Sequence, residues 1–415
     1  VSDRLERLRE DLDVLRGVAH RYAGTEGERE MLSLVRSRLP AGVKSRVESF
    51  VAYTSPGLVI GSHAFALLSF GLLGMYWPLV SALACGLVTL SLMAEGAGRY
   101  SVLRRVLPKS ASYNLVWRKE AENALGTLIL AVPLDIPRWR PERPRWPKRP
   151  MQVLFVAAVA MTLVITLRAL AEPWGRPTQG MYVASLAVLA AAVGLGIFAH
   201  RRATGVHEDP SSAAALLELV RRFEEAPIPQ LDTWAVFTGC AFAYQNGMHA
   251  FLAMRGDRLR RPVLVVALDD PGRPGLKAVV SEGPLFGAYH RPTGPAIVER
   301  LRWAGLDLEA VDTAQITNAR AALIWGHRAL ALAGGTGPST PDDTLRAVEI
   351  TEAIARLYAD DLARVPDLPE SLRHLLPAAH DDATPPPAGR VAEGEPELLR
   401  GRDPGDGRDE GTELG

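Results

Sequence analysis

The sequence predicts an α/β protein: a mixed, mostly parallel sheet between helical layers, a three-layer architecture interrupted by two transmembrane helical hairpins. Three observations carry this. Short apolar runs rich in Val, Ile and Leu alternate with segments whose apolar residues recur at helical spacing, as in a sheet covered on both faces. Four runs without Asp, Glu, Lys or Arg, each long enough for a membrane helix, occur as two close pairs. Basic residues crowd one set of helix ends and are scarce at the other.

The first apolar pair is 57–75 and 78–94, separated only by Tyr76 and Trp77. As helix at about 1.5 Å per residue, the uncharged stretch 57–94 would extend about 57 Å, enough to cross a hydrocarbon core of about 30 Å twice. The second pair is 151–167 and 180–199. Two hairpins return the chain to its starting side, so residues 1–55, 96–149 and 201–375 form one discontinuous domain. The expected pieces are that domain, hairpin 1 over 57–94, hairpin 2 over 151–199, and a disordered tail over 376–415. From residue 381 the tail holds ten acids and four arginines, with many Pro and Gly.

Twelve Lys or Arg residues lie near the helix ends on the side of the polar domain, against Arg168 and Arg176 on the other. The asymmetry predicts an integral membrane protein with four spans, its globular part and both termini cytoplasmic. The charged N-terminal helix 1–17 has no apolar core, so no secretory signal is expected there. Cys85 and Cys240 are the only cysteines, which fits a reducing compartment.

The run PRWRPERPRWPKRP directly precedes a span. Arg138, Trp139, Arg140, Arg143, Arg145, Trp146, Lys148 and Arg149 read as a membrane-interface anchor for anionic headgroups. Nucleic acid is not an expected partner. Its recognition needs basic and aromatic residues over a folded face, and 47 basic residues balance 47 acidic ones in the chain. His63 is the only ionisable imidazole within the four runs, so no proton path or transporter is expected.

In the polar domain, strands are predicted at 45–53, 113–118, 127–133, 233–238, 262–268, 277–281 and 327–333. Helices are predicted at 211–225, 246–255, 293–304 and 344–364. Thr340 is placed to cap the last helix, with Pro341 at its first position and Asp343 three residues on, as in a capping box. Asp209 and Pro210 can do likewise near 211. TWAVFTGCAFAYQNGMHAFL, residues 233–252, reads as a strand, a glycine turn and a helix, where enzymes place reactive groups; yet Ala241 and Phe242 stand at its apex.

The order of these fragments resembles the zinc exopeptidases of metallopeptidase family twenty-eight, the aminopeptidase Y and bacterial leucyl aminopeptidase type. RYAGTEGEREMLSLVRSRL is similar to that family's N-terminal Gly-Thr/Ser segment and helix, YNLVW to its Asn-Val strand, and TLILAVPLD to its strand ending in His-x-Asp. GVHEDPSSAAALLELVRRF resembles Gly-x-x-Asp-Asn-x-Ser-Gly with its helix. FTGCAFAYQNGMHAFL falls on the Glu-Glu turn, VVALDD on the aspartate strand and GPSTPDDT on the His-Thr-Pro-x-Asp-Thr turn.

The resemblance implies a two-zinc site with a bridging carboxylate, two histidines, further carboxylates and a glutamate base. Carried over, the first histidine falls on Pro133, the bridging aspartate on Glu208, the base on Ala241 and the next ligand on Phe242. The last aspartate falls on Asp269 and the second histidine on Ser339. Asp135 falls on the group that orients the first histidine. Glu208 and Asp269 alone keep ligand chemistry, with His207 as a possible neighbouring nitrogen donor.

This predicts no catalytic residue, no resident metal and no cofactor: a degenerate, membrane-anchored member that binds an unknown peptide or protein partner. One alternative is an active metal-dependent aminopeptidase or other hydrolase, with zinc at an atypical site around His207, Glu208, Asp209 and Asp269, with His249 or His290 drawn in. Another is a membrane-assembly protein whose hairpins are its working part.

Overall fold

The computed structural model describes residues 2–18, 20–54, 56–97, 107, 109–136, 150–171, 183, 209–283, 288–289, 293–306, 308–313 and 316–364. The expected disordered tail, the basic run 138–149 and the apolar run 180–199, apart from Val183, lie outside them. So do His207, Glu208 and His290.

Among the described residues the sheet has nine strands: β1 (Ser45–Ala52), β2 (Ser110–Lys119), β3 (Gly126–Pro133), β4 (Leu231–Thr238), β5 (Val263–Asp269), β6 (Lys277–Glu282), β7 (Ala288–Tyr289), β8 (Glu309–Thr313) and β9 (Arg328–Ala333). Their order is β1-β2-β4-β3-β5-β9-β6-β7, with β8 also paired to β6. The centre, β4-β3-β5-β9, is wholly parallel. β1, β2 and β6 add antiparallel pairings at its flanks, so the sheet is mixed, as the sequence predicts. Central strands such as LILAV in β3 are apolar throughout because both faces are covered.

On one face lie α1 (Ser2–Leu15), α2 (Glu26–Ser37), α6 (Ser211–Glu225) and α10 (Pro341–Arg364). The small side chains Ala213, Ala214 and Ala215 are fully shielded, as are Leu216, Leu217 and Leu219, because α6 is covered by α1 and α10 as well as by the sheet. On the other face, α7 (Asn246–Arg255) and α9 (Asn318–Ile324) pack Met248, Phe251, Ala319 and Ala322 against Ile129, Val265 and Ala331. α8 (Thr293–Trp303) packs beside β6 and β9.

Three apolar helices form a separate cluster: α3 (Pro56–Leu73), α4 (Pro78–Gly96) and α5 (Pro150–Ala171). α3 and α4 run antiparallel. Ser81 Oγ donates to the Phe70 carbonyl at 2.6 Å, and the His63 Nε2 to Ser91 Oγ distance is 3.1 Å. Thr89 and Thr162 join α4 to α5 with hydroxyl oxygens 3.0 Å apart.

The expectation of four spans is corrected here. Among the described residues one helix, Pro78–Gly96, is long and apolar enough to cross a membrane, whereas the apolar stretches Gly61–Leu73 and Phe155–Leu170 are shorter. Length and composition alone also suit a core helix of a soluble protein. β7, β8 and α9 are absent from the sequence reading, for physical reasons. EAVDT is a mostly exposed edge strand with two acids, and a seven-residue helix is too short to show a helical period.

Candidate functional site

The parallel strands end along one edge of the sheet. Pro133 closes β3 opposite Thr238 of β4, and Asp269 closes β5 opposite Ala333 of β9. Ligands of open α/β sheets are held at this carboxyl edge. Here Pro133, Ala241, Phe242 and Asp269 line one cavity together with Ile316, Thr317 and Asn318. Its volume is about 10 Å³, room for a single water molecule.

Beyond β4 the chain makes an unusually constrained turn. Cys240, Tyr244 and Gln245 adopt left-handed backbone angles, with φ of 47°, 62° and 50°. For residues with a Cβ this costs roughly 1–2 kcal/mol each. Gly239 is required by close approach, since a Cβ there would lie 2.3 Å from Ser112 Oγ and 2.5 Å from the Tyr113 carbonyl oxygen.

Two buried carboxylates hold the turn. Glu28 Oε1 accepts the N–H of Cys240 at 2.6 Å and the hydroxyl of Ser112 at 3.1 Å, while its Oε2 accepts the N–H of Gly24 at 2.6 Å. Asp135 Oδ1 accepts the N–H of Ala241 at 2.8 Å, and Oδ2 that of Phe242 at 3.1 Å. Asn114 clamps the two ends, accepting from Gly239 N–H and donating to the Gly247 carbonyl. Four successive N–H groups, of residues 239–242, are thus satisfied by side chains.

Burial, the largest cause, holds the Asp135 carboxyl well above its ordinary range, and the neighbouring Glu28 charge pushes it further. Burial also raises Glu28, against the pull of its backbone hydrogen bonds. The Cys240 thiol is pushed up by burial and by both carboxylates, which leaves it un-ionised and unreactive.

On the other side of the cavity, Asn318 Nδ2 donates to Thr238 Oγ1, which donates to the Val132 carbonyl. Because the Thr238 proton is committed, Asn318 must present its amide N–H there. Its Oδ1 is buried without a hydrogen-bond partner among the described residues. Thr317 caps α9 by accepting the N–H of Ala319.

Of the sequence-predicted positions, the structure brings Pro133, Ala241, Phe242 and Asp269 together and places Asp135 directly behind them. Ser339 is not among the lining residues; its hydroxyl and carbonyl accept from Arg16. Asp209 is engaged structurally, Oδ1 accepting the N–H of Ser211 and Oδ2 facing Arg273 Nε at 3.4 Å. His249 accepts from Trp325 Nε1 through Nδ1 and is not among the lining residues.

A two-zinc centre does not fit what is described. Pro133, Ala241 and Phe242 offer no donor, Asp269 is the one carboxylate in the wall, and the space equals one water. Among the described residues, no three His, Cys, Asp or Glu side chains are grouped to hold a metal ion. The sequence reading missed Glu28, Asn114, Thr317 and Asn318, all of which shape this site.

No protein-family model matches the chain, and no curated protein matches it. Among solved structures, the glutaminyl cyclase of an Acidobacteriales bacterium is similar at 12% identity over 86% of this chain and 93% of that one, with a TM-score of 0.45. BSAP, a zinc aminopeptidase from Bacillus subtilis, is similar at 9% identity over 85% and 94%, also with a TM-score of 0.45. The Porphyromonas gingivalis glutaminyl cyclase reaches 10% identity over 86% and 98%, with a TM-score of 0.44.

Proposed function

We propose that this chain is a membrane-anchored, cytoplasm-facing pseudopeptidase of zinc-exopeptidase type, binding a peptide or protein partner without cleaving it. One observation carries the reading. A strained turn that costs several left-handed residues is built and buttressed at the carboxyl edge of the sheet, yet it presents Ala241 and Phe242 to a water-sized cavity. Backbone strain of this kind persists where a site demanded it. The seven family-like fragments in order support the same ancestry, and fold without chemistry implies no catalysis.

The membrane part of the reading rests on which side chains the apolar helices leave uncovered. Leu79, Leu83, Leu87 and Leu90 make a stripe along α4 with exposures of 67%, 65%, 68% and 61%. Val156, Leu163, Leu167 and Leu170 do the same on α5, and Phe65 on α3. Meanwhile the helices bury Leu67, Val88, Leu92 and Ile165 against one another. A helix apolar on all sides suits a lipid solvent, and so large an apolar patch does not suit water. Tyr76 and Trp77 stand exposed at the turn between α3 and α4, where interfacial aromatics belong.

The test of the non-catalytic reading is an aminopeptidase assay on the full chain in detergent, with zinc supplied, over a panel of aminoacyl chromogenic substrates. No turnover is expected. Turnover abolished by a chelator would overturn the reading in favour of an atypical metal site at His207, Glu208, Asp209 and Asp269.

A further inference from the structure

We infer that the cavity-bearing edge of the sheet faces the membrane surface, with the lipid headgroup layer as its neighbour. The inference rests on the membrane reading above and adds an orientation that the apolar helices alone do not specify.

The topology carries it. Between β1 and β2 the chain makes the excursion containing α3 and α4, and between β3 and α6 the one containing α5. β1 ends at Ala52 and β2 begins at Ser110, and these two residues are register partners. Following the pairing inward, Leu115 of β2 meets Phe237 near the end of β4, and Thr238 of β4 meets Pro133 at the end of β3. Departure and return of the first excursion and departure of the second therefore occur at the edge where the cavity lies. The return of the second, at Asp209, leads into α6 and is held there by Arg273, which also faces Asp270 just beyond β5.

Each connection touches the site itself. The carbonyl of Tyr53, three residues before α3, accepts from Asn246 at the end of the strained turn, at 3.1 Å. Ser112, two residues into β2, donates to Glu28 beneath that turn. Asp135, two residues past β3, holds the turn's apex. Arg320 of α9, 3% exposed, donates through Nη2 to the carbonyl of Gly96, the last residue of α4, at 2.8 Å. Two residues earlier on the same helix, Asn318 lines the cavity. The end of α4 is thereby tied to the cavity wall through one short helix.

Among the described residues, the opposite edge carries the connection between β2 and β3 and those leading into β4, β5 and β9, and none of the apolar helices. β4, at eight residues, separates the two edges by about 26 Å at about 3.3 Å per residue. If the helices enter the bilayer, the cavity edge lies next to its surface and the far edge does not. Lys109, exposed at the cavity edge over the ring of Tyr53, suits an anionic surface.

The experiment is fluorescence quenching in phosphatidylcholine and phosphatidylglycerol vesicles containing a headgroup-nitroxide lipid. Single fluorophores are attached to Ser110→Cys and Thr336→Cys at the cavity edge, or Asn123→Cys and Asp257→Cys at the far edge, all exposed positions, while both native cysteines are buried. Labels at 110 and 336 should lose most of their fluorescence, and labels at 123 and 257 should keep theirs. A Leu83→Cys label with an acyl-chain nitroxide reports insertion separately. Quenching at 83 with equal quenching at both edges would overturn the orientation while sparing the membrane reading. No quenching at 83 would overturn the membrane reading and this inference with it.

Discussion

Asp135 gives both carboxylate oxygens to the backbone of the turn whose side chains close the cavity, accepting the N–H groups of Ala241 and Phe242 at 2.8 and 3.1 Å. A residue that the family resemblance assigns to orienting a zinc-bound histidine is here a strut for an apolar wall. Its removal should therefore act on stability alone. Asp135→Ala leaves two buried donors without a partner at about 1–3 kcal/mol each. Thermal unfolding in detergent should show a large loss, and metal content should not change. An unchanged melting temperature would contradict the assigned role.

The same geometry sets a pH dependence. Burial first, and mutual repulsion with Glu28 second, raise Asp135 in the folded protein, and burial raises Glu28. The folded state then holds more protons than the unfolded chain between the ordinary carboxylate pKa of about 4 and the raised value. Stability from these groups is complete below that window and is lost as pH rises through it. Arg29 opposes the trend at Glu28. Melting temperatures of wild type should fall from pH 4.5 toward neutrality more steeply than those of Glu28→Gln with Asp135→Asn. Equal slopes would remove the carboxylate pair as the cause.

At the start of α10, Thr340 Oγ1 accepts the N–H of Asp343 at 3.1 Å and donates to Asp343 Oδ2 at 2.7 Å, a cap whose two members satisfy each other. Thr340→Ala should cost about 1 kcal/mol. Denaturant titration reads this directly; a cost near zero would mean that Pro341 and the helix dipole suffice.

Reporter fusions at Trp77 and Gly96, the two ends of the one described helix long and apolar enough to span, test the membrane anchoring proposed above. Opposite sides are expected; the same side for both would contradict it.

The central strands were readable because LILAV in β3, WAVF in β4 and VLVVAL in β5 are unbroken apolar runs, a pattern that survives any registry of neighbours. The cavity was readable in four of its walls because strand ends carry Pro133 and Asp269 and a glycine turn carries Ala241 and Phe242. Glu28 was not. It stands three residues after Thr25, the spacing of an ordinary helix cap, and only the fold carries it beneath a turn 212 residues away in sequence. Asn318 was hidden for a related reason: its helix has seven residues, and its partner Thr238 lies on a strand 80 positions earlier.

The proposal that this site holds no resident zinc is tested most directly by equilibrium dialysis of the full chain against zinc. A variant combining Pro133→His, Ala241→Glu and Phe242→Glu, with Asp269 kept, is dialysed in parallel. Wild type should retain well under one zinc per chain, and the folded variant should retain more. Stoichiometric, tightly held zinc in the wild type would contradict the account.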